Sequence, residues 1–156
     1  MTDVSNDTPV SDLYDESGFY PKFLADLDNA RSEVIIESPY ITSKRMATFY
    51  HIFERLILKN ILIYIITRSP EEHAQPKNRE AESAIRNFER MGIHALLCTG
   101  NDHRKLAIID RTILWEGSLN ILSQSQSREV MRRFSDVSTA CAMIRFLKLD
   151  QYVQDK

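Results

Sequence analysis

The chain has 156 residues, 43% of them hydrophobic and 27% charged, the make-up of one globular domain with a single core. Its longest apolar runs, such as 61–66, are far too short to cross a bilayer as a helix, which argues against a membrane protein. A formal net charge of −2 argues against a general nucleic-acid binder, and the two cysteines, Cys98 and Cys141, belong to no C-x-x-C and read as reduced core residues.

Residues 1–18 are polar and acidic without apolar periodicity, which predicts a flexible segment ahead of a domain over 19–156. Nothing in it resembles a signal peptide, so a cytoplasmic location is expected. Pro21 opens a short helix with Phe23, Leu24, Leu27 and Ala30 in one stripe. Glu33–Glu37 then reads as a strand around Val34, Ile35 and Ile36. Ser43 is the expected cap of a second helix that carries Met46, Phe49, Tyr50, Phe53, Leu56 and Ile57 at helical spacing.

The β-branched run 61–67 has the pattern of a strand buried on both faces. Asn78 is the expected cap of a third helix (Ala81, Ala84, Ile85, Phe88, Met91), which Gly92 ends. Strands are expected over 93–98, 105–109, 112–115 and, more weakly, 130–134. Asp136 caps a last helix with Ala140, Met143, Ile144 and Leu147 inside. Strands alternating with helices and then hairpin-connected strands predict an α/β domain, a mixed sheet with helices on both faces. There is no internal repeat.

The chemistry is concentrated in 103–120. H-x-K-x-x-x-x-D (His103, Lys105, Asp110) is followed by G-S-x-N (Gly117, Ser118, Asn120). A shuffled chain of this composition would hold about 0.01 copies of the first pattern and about 0.02 of the second. Imidazole, amine, hydroxyl and amide together suit a phosphate ester, with the histidine attacking phosphorus and the rest binding its oxygens. Charge is uneven as well. Residues 1–40 carry nine acids against Lys22 and Arg31, while 103–133 carry six bases against three acids. That basic excess lies where a phosphodiester would dock.

His103 and Lys105 are two apart on the expected strand and share a face. Asp110 lies up to ~23 Å away along an extended chain, at ~3.3 Å per residue, so it cannot orient His103. Its expected work is to satisfy backbone or a neighbouring base. If Asp110-Arg111 is a two-residue turn, His103 faces Ser118, Lys105 faces Glu116, and Asn120 follows on the same side. Gly117 would let backbone approach where a ligand fits.

These motifs, with Glu129 in Ser-Arg-Glu-Val-Met, resemble the phospholipase D superfamily, in particular the small bacterial nucleases and phosphodiesterases with one motif per chain. The resemblance implies a phospholipase D-like domain and a two-step transfer through a phosphohistidine, with no metal or cofactor. It also implies a homodimer that sets two motifs side by side. His103 would then be nucleophile in one subunit and general acid in the other, and Lys105, Asn120 and Ser118 would hold phosphate oxygens. Glu129 would accept a hydrogen bond from His103. The expected substrate is DNA or RNA, with Arg68, Arg104 and Arg128 in contact with it.

Two other functions fit the sequence: a non-catalytic nucleic-acid-binding and dimerisation module of a larger enzyme, and a phospholipase or phosphatidyl transferase. The latter lacks a Lys-rich amphipathic membrane-binding segment. A metal site of Asp102, His103 and Glu129 is the rival chemistry, disfavoured by the Lys105 ammonium alongside. His51 and His94 read as packing residues, Trp115 as core, and His73, in the loop after a buried strand, as a possible substrate contact.

Overall fold

A computed structural model describes residues 11–74 and 77–153. Seven strands form one mixed sheet. They are β1 (Ser11–Asp15), β2 (Glu33–Glu37), β3 (Leu62–Arg68), β4 (His94–Cys98), β5 (Leu106–Ile109), β6 (Ile113–Gly117) and β7 (Val130–Ser135), in the spatial order β1-β7-β6-β5-β2-β3-β4. β2, β3 and β4 run parallel, and every other pairing is antiparallel. The helices are α1 (Phe19–Asp28), α2 (Ser43–Leu58), α3 (Lys77–Met91) and α4 (Val137–Phe146).

Side-chain alternation along the strands divides the core in two. One face (Val34, Ile36, Ile63, Ile65, Ala107, Trp115) packs on Phe23 and Leu27 of α1, Phe49 and Phe53 of α2, and Phe88 of α3. The other (Ile35, Tyr64, Ile66, Leu106, Ile108, Leu114) packs on Ala140 and Ile144 of α4. Helices therefore cover both faces, as the pattern predicts. Trp115 is wholly buried, and its indole N–H donates to Asp26 at 2.8 Å. His94 stacks on Tyr64 with ring centroids 4.9 Å apart. His51, expected to pack, is exposed, because the buried stripe of α2 runs through Met46, Phe49, Ile52, Phe53 and Leu56.

Local expectations shift at several ends. α1 begins at Phe19, before Pro21. Thr42, not Ser43, caps α2, accepting from the Arg45 N–H. Asn78 lies inside α3, one residue after its start. Asp136 caps α4 as expected, through the Thr139 N–H at 2.8 Å. The expected flexible segment over 1–18 is corrected in part. Residues 1–10 lie outside the described residues, but Ser11–Asp15 pairs with β7 as an edge strand. Tyr14 anchors it against Trp115 (ring centroids 5.0 Å), and the Asp15 carboxylate closes the following turn by accepting from the Ser17 and Gly18 N–H groups.

The central hairpin differs by one residue from the two-residue turn. Ile109 pairs with Ile113, so Leu106, not Lys105, faces Glu116. The loop is Asp110-Arg111-Thr112, with Asp110 and Arg111 both left-handed at φ 55°. That conformation costs roughly 1–2 kcal/mol per residue. The Asp110 carboxylate offsets the cost by accepting from the N–H groups of Arg31, Ser32 and Glu33 (2.8, 2.7 and 3.1 Å) and the Ser32 hydroxyl (2.9 Å). Arg111 reaches Glu33 at 2.6 Å and Asp150 at 3.3 Å.

Candidate active site

One end of the sheet collects the chemistry. The C-terminal ends of β2, β3, β4 and β6 and the N-terminal ends of β5 and β7 all lie there, because β5 and β7 run against their neighbours. Asp110 is at the other end, beside the start of β2.

His103 and Lys105 stand in the segment leading into β5 rather than on the strand. The His103 imidazole is exposed and makes no hydrogen bond among the described residues, so it is open to a ligand. Lys105 is half-buried, and its ammonium donates to the His103 carbonyl at 2.7 Å, tightening the segment. The Lys105 carbonyl accepts from the Gly117 N–H at 3.3 Å, which sets Lys105 against the end of β6. With the shifted register, Lys105 rather than His103 is joined to the Gly117-Ser118 turn.

Gly117 is required by backbone, not by ligand. A Cβ there would come within 2.2 Å of the Val130 carbonyl oxygen and 2.9 Å of the Met131 Cα. That close approach of β7 lets Ser118 bond it twice: the Ser118 N–H donates to the Val130 carbonyl and its Oγ accepts from the Val130 N–H, each at 3.0 Å. The Ser118 hydroxyl donates to Glu129 Oε2, while Glu129 Oε1 accepts from the Ser127 hydroxyl at 2.7 Å. The Glu129 N–H donates to Glu16 at 3.0 Å. Within one chain, then, Glu129 is engaged by serines and not by His103, a correction to the expected bond. Asn120 is half-buried, and its Oδ1 is enclosed without a hydrogen-bond partner among the described residues.

The three arginines expected at substrate separate. Arg68 bonds the Tyr40 hydroxyl at 3.1 Å and Glu72 at 3.4 Å. Arg104 is held by Glu37 at 3.2 Å and lies 3.8 Å from Asp102. Arg128 is exposed and forms no ion pair among the described residues. His73 is buried against the Tyr40 ring, 5.0 Å between centroids. Asp102 turns to Arg104 and Glu129 to Ser118, so the alternative metal triad is not assembled, and no group of three metal-ligating side chains occurs among the described residues.

Sequence reasoning passed over Glu37, wholly buried at the end of β2. Its Oε1 and the Asp102 Oδ2 are both enclosed without a donor among the described residues. Burial, reinforced by the Asp102 carboxylate and opposed by Arg104, pushes the Glu37 carboxyl up to about 8. Glutamate inside a run of strand residues (Glu-Val-Ile-Ile-Glu) was the available signal, since such a strand is buried on both faces. Tyr20 was missed as well. Its hydroxyl donates to the Ile121 carbonyl at 2.8 Å in the Asn120 turn, and burial pushes it up to about 12, so it stays neutral. The Arg45 guanidinium lies over its ring at 3.6 Å.

Residues 23–144 match the family model described as cardiolipin synthase, PLD-like domain. The chain belongs to the phospholipase D superfamily. Among solved structures, this superfamily member is similar to Nuc, a phospholipase D family member from Salmonella typhimurium. The TM-score is 0.71 at 13% identity, over 90% of this chain and 92% of that one. NucT from Helicobacter pylori gives 0.66 at 18% identity, over 89% and 93%. Phosphatidylserine synthase from Haemophilus influenzae gives 0.59 at 12%, over 94% of this chain but 39% of the other. At these identities the likeness is one of fold. A comparison with curated protein sequences finds no match. No helix among the described residues is long and apolar enough to cross a membrane.

Proposed function

We propose that this chain is a metal-independent phosphodiesterase, a DNA or RNA endonuclease that works through a phosphohistidine at a homodimer interface. The observation that carries the reading is an exposed, unbonded His103 on a segment whose Lys105 is joined to the Gly117-Ser118 turn, with the Asn120 amide following. The fold shared with Nuc and NucT over about nine-tenths of each chain supports phospholipase D-type chemistry on a phosphodiester.

In the proposed cycle the neutral His103 imidazole attacks phosphorus and the P–O bond to the leaving group breaks. The departing oxygen takes its proton from the partner's His103. Water then attacks the phosphohistidine and gives a proton back to that second imidazole, and the P–N bond breaks. Lys105 and the Asn120 amide hold the non-bridging oxygens as negative charge grows on them. For the Ser118 hydroxyl to support the same oxygens, its one proton must turn from Glu129 to the phosphate. One neutral and one protonated histidine give a bell-shaped pH–rate profile.

The test is cleavage of labelled DNA and RNA in excess chelator by wild type and His103→Ala, with the mass in solution measured alongside. Cleavage that survives chelator, disappears in the variant and comes from a species of twice 18.1 kDa is expected. Activity that needs added Mg²⁺ or Zn²⁺ would sink the covalent mechanism. Nucleic-acid binding without turnover, equal in both proteins, would instead favour a binding module, and release of phosphatidic acid from vesicles a phospholipase.

A further inference from the structure

We propose that Glu37 is a positioning residue: its protonated carboxyl donates to Asp102 and, together with Arg104, clamps the 102–105 segment that presents His103 and Lys105. Loss of that one proton releases the segment. The inference rests on the phosphodiesterase reading for its effect on turnover, but the clamp itself does not.

The geometry carries it. Asp102 and Arg104 are the immediate neighbours of His103. Arg104 is the only cation that contacts either carboxyl among the described residues, through Nε and Nη2 to Glu37 Oε2 and through its own backbone N–H to Asp102 Oδ1 at 3.1 Å. That accounts for one oxygen of each carboxyl. The two that remain, Glu37 Oε1 and Asp102 Oδ2, are enclosed without a donor, and a single proton between them satisfies both. Charge gives the same answer: two carboxylates and one guanidinium leave a buried net negative charge, which one proton cancels.

The clamp is anchored because Glu37 is paired with Leu106 at the mouth of β5 and is wholly buried, so its own position cannot yield. The Asp102 side chain, 10% exposed, provides the route for the proton to solvent. Besides Arg104, the titratable groups that face the pair are the Cys98 thiol at the end of β4, itself pushed up by burial and by the charges of Asp102 and Glu37, and Glu72 beyond it. Since the Glu37 carboxyl is pushed up to about 8, release falls just above neutrality.

Glu37→Gln is the decisive variant, because a glutamine amide donates to Asp102 and accepts from Arg104 at every pH. Amide resonances of 102–105 should shift with a midpoint near pH 8 in the wild type and stay still in Glu37→Gln. Unfolding adds a second readout. A raised carboxyl stabilises the fold fully below its unfolded value of about 4.5 and loses that contribution as pH climbs to about 8. The wild-type midpoint should therefore fall relative to Glu37→Gln across that window. In cleavage, wild-type kcat should fall about tenfold more per pH unit above 8 than the histidine limb alone gives, with KM little changed, and this added steepness should be absent from Glu37→Gln. Glu37→Ala should be slow throughout.

Identical pH responses of the 102–105 amides in wild type and Glu37→Gln overturn the clamp, whether or not the protein cuts anything. A moving segment together with an alkaline limb as steep in Glu37→Gln as in the wild type overturns the positioning role. Failure to cut any phosphodiester, with the amide shift present, overturns the nuclease reading and leaves the clamp established.

Discussion

Asp110 is the last letter of H-x-K-x-x-x-x-D, yet its carboxylate is occupied at the end of the sheet away from Lys105. Asp110→Ala removes the acceptor of three backbone N–H groups at the start of β2 (2.8, 2.7 and 3.1 Å) and of the Ser32 hydroxyl (2.9 Å). Hydrogen bonds to a charged group contribute about 1.5–3 kcal/mol each in isolation, but four on one partly solvated carboxylate do not add, and about 3 kcal/mol for the set is reasonable. Alanine held at the φ of 55° that Asp110 adopts costs roughly 1 kcal/mol more. A loss of about 4 kcal/mol is survivable for a domain stable by roughly 5–15 kcal/mol. With a urea slope of about 2 kcal/mol/M the midpoint should fall by about 2 M, and Asp110→Asn, which keeps one acceptor and tolerates the left-handed turn, by about half that. Circular dichroism in urea measures it, with kcat/KM of the folded variants expected within about threefold of wild type. An unchanged midpoint would refute the stabilising role, and a hundredfold loss of turnover at an unchanged midpoint would show that this carboxylate reaches the chemistry.

Three further outcomes are expected. Gly117→Ala puts a Cβ 2.2 Å from the Val130 carbonyl oxygen, so β6 and β7 must part at the site end. A loss of roughly 1–3 kcal/mol in thermal unfolding should accompany changed resonances of Ser118 and Val130, and a well-packed variant with neither would contradict the contact. Asp26→Ala strands the Trp115 indole and the Arg133 guanidinium, which Asp26 binds at 2.8 and 2.9 Å. It should cost about 3–5 kcal/mol by urea unfolding, part of it recovered by adding Arg133→Met. Arg128 and Arg132 are exposed and outside any ion pair among the described residues, so each neutral variant should lower the log–log salt slope of nucleic-acid binding by about 0.9. Arg133→Met should leave the slope alone, and the reverse ranking would place the phosphate path elsewhere.

The periodic segments were readable because their burial is one-sided or complete: β2 and α4 begin where the apolar pattern and the Asp136 cap say they do. What could not be read was set by contacts between distant residues. The hairpin turn depends on Asp110 meeting the N–H groups of 31–33, a partner some 78 positions away that no local rule supplies. β1 has few apolar residues and exists because β7 offers it an edge and Trp115 a ring to pack against. The exposure of His103 and the burial of Glu37 follow from where β5 and β2 end side by side, not from either residue's neighbours in sequence.

The charge asymmetry carries the same lesson furthest. Acids gathered in 1–40 and bases in 103–133 suggested a basic surface around the motif. In the fold these segments are adjacent, and the charges cancel across the sheet: Asp26 with Arg133, Glu33 with Arg111, and the one negative charge that Glu37 shares with Asp102 with Arg104. Each acid is at least nine-tenths buried, so each pair carries a desolvation cost that only good geometry repays. The acidic half of the chain is thus the counter-charge of the basic half. Of the six bases in 103–133, those without an acid among the described residues are Lys105 beside the turn and Arg128 and Arg132 on the surface. A site with so little free positive charge must draw its discrimination from placement, from Lys105 held on the His103 carbonyl and Ser118 on Glu129, rather than from long-range attraction. Association with nucleic acid should then be slow and weakly salt-dependent for an enzyme of this chemistry, and two copies of the site would be needed to gather the charge that one lacks.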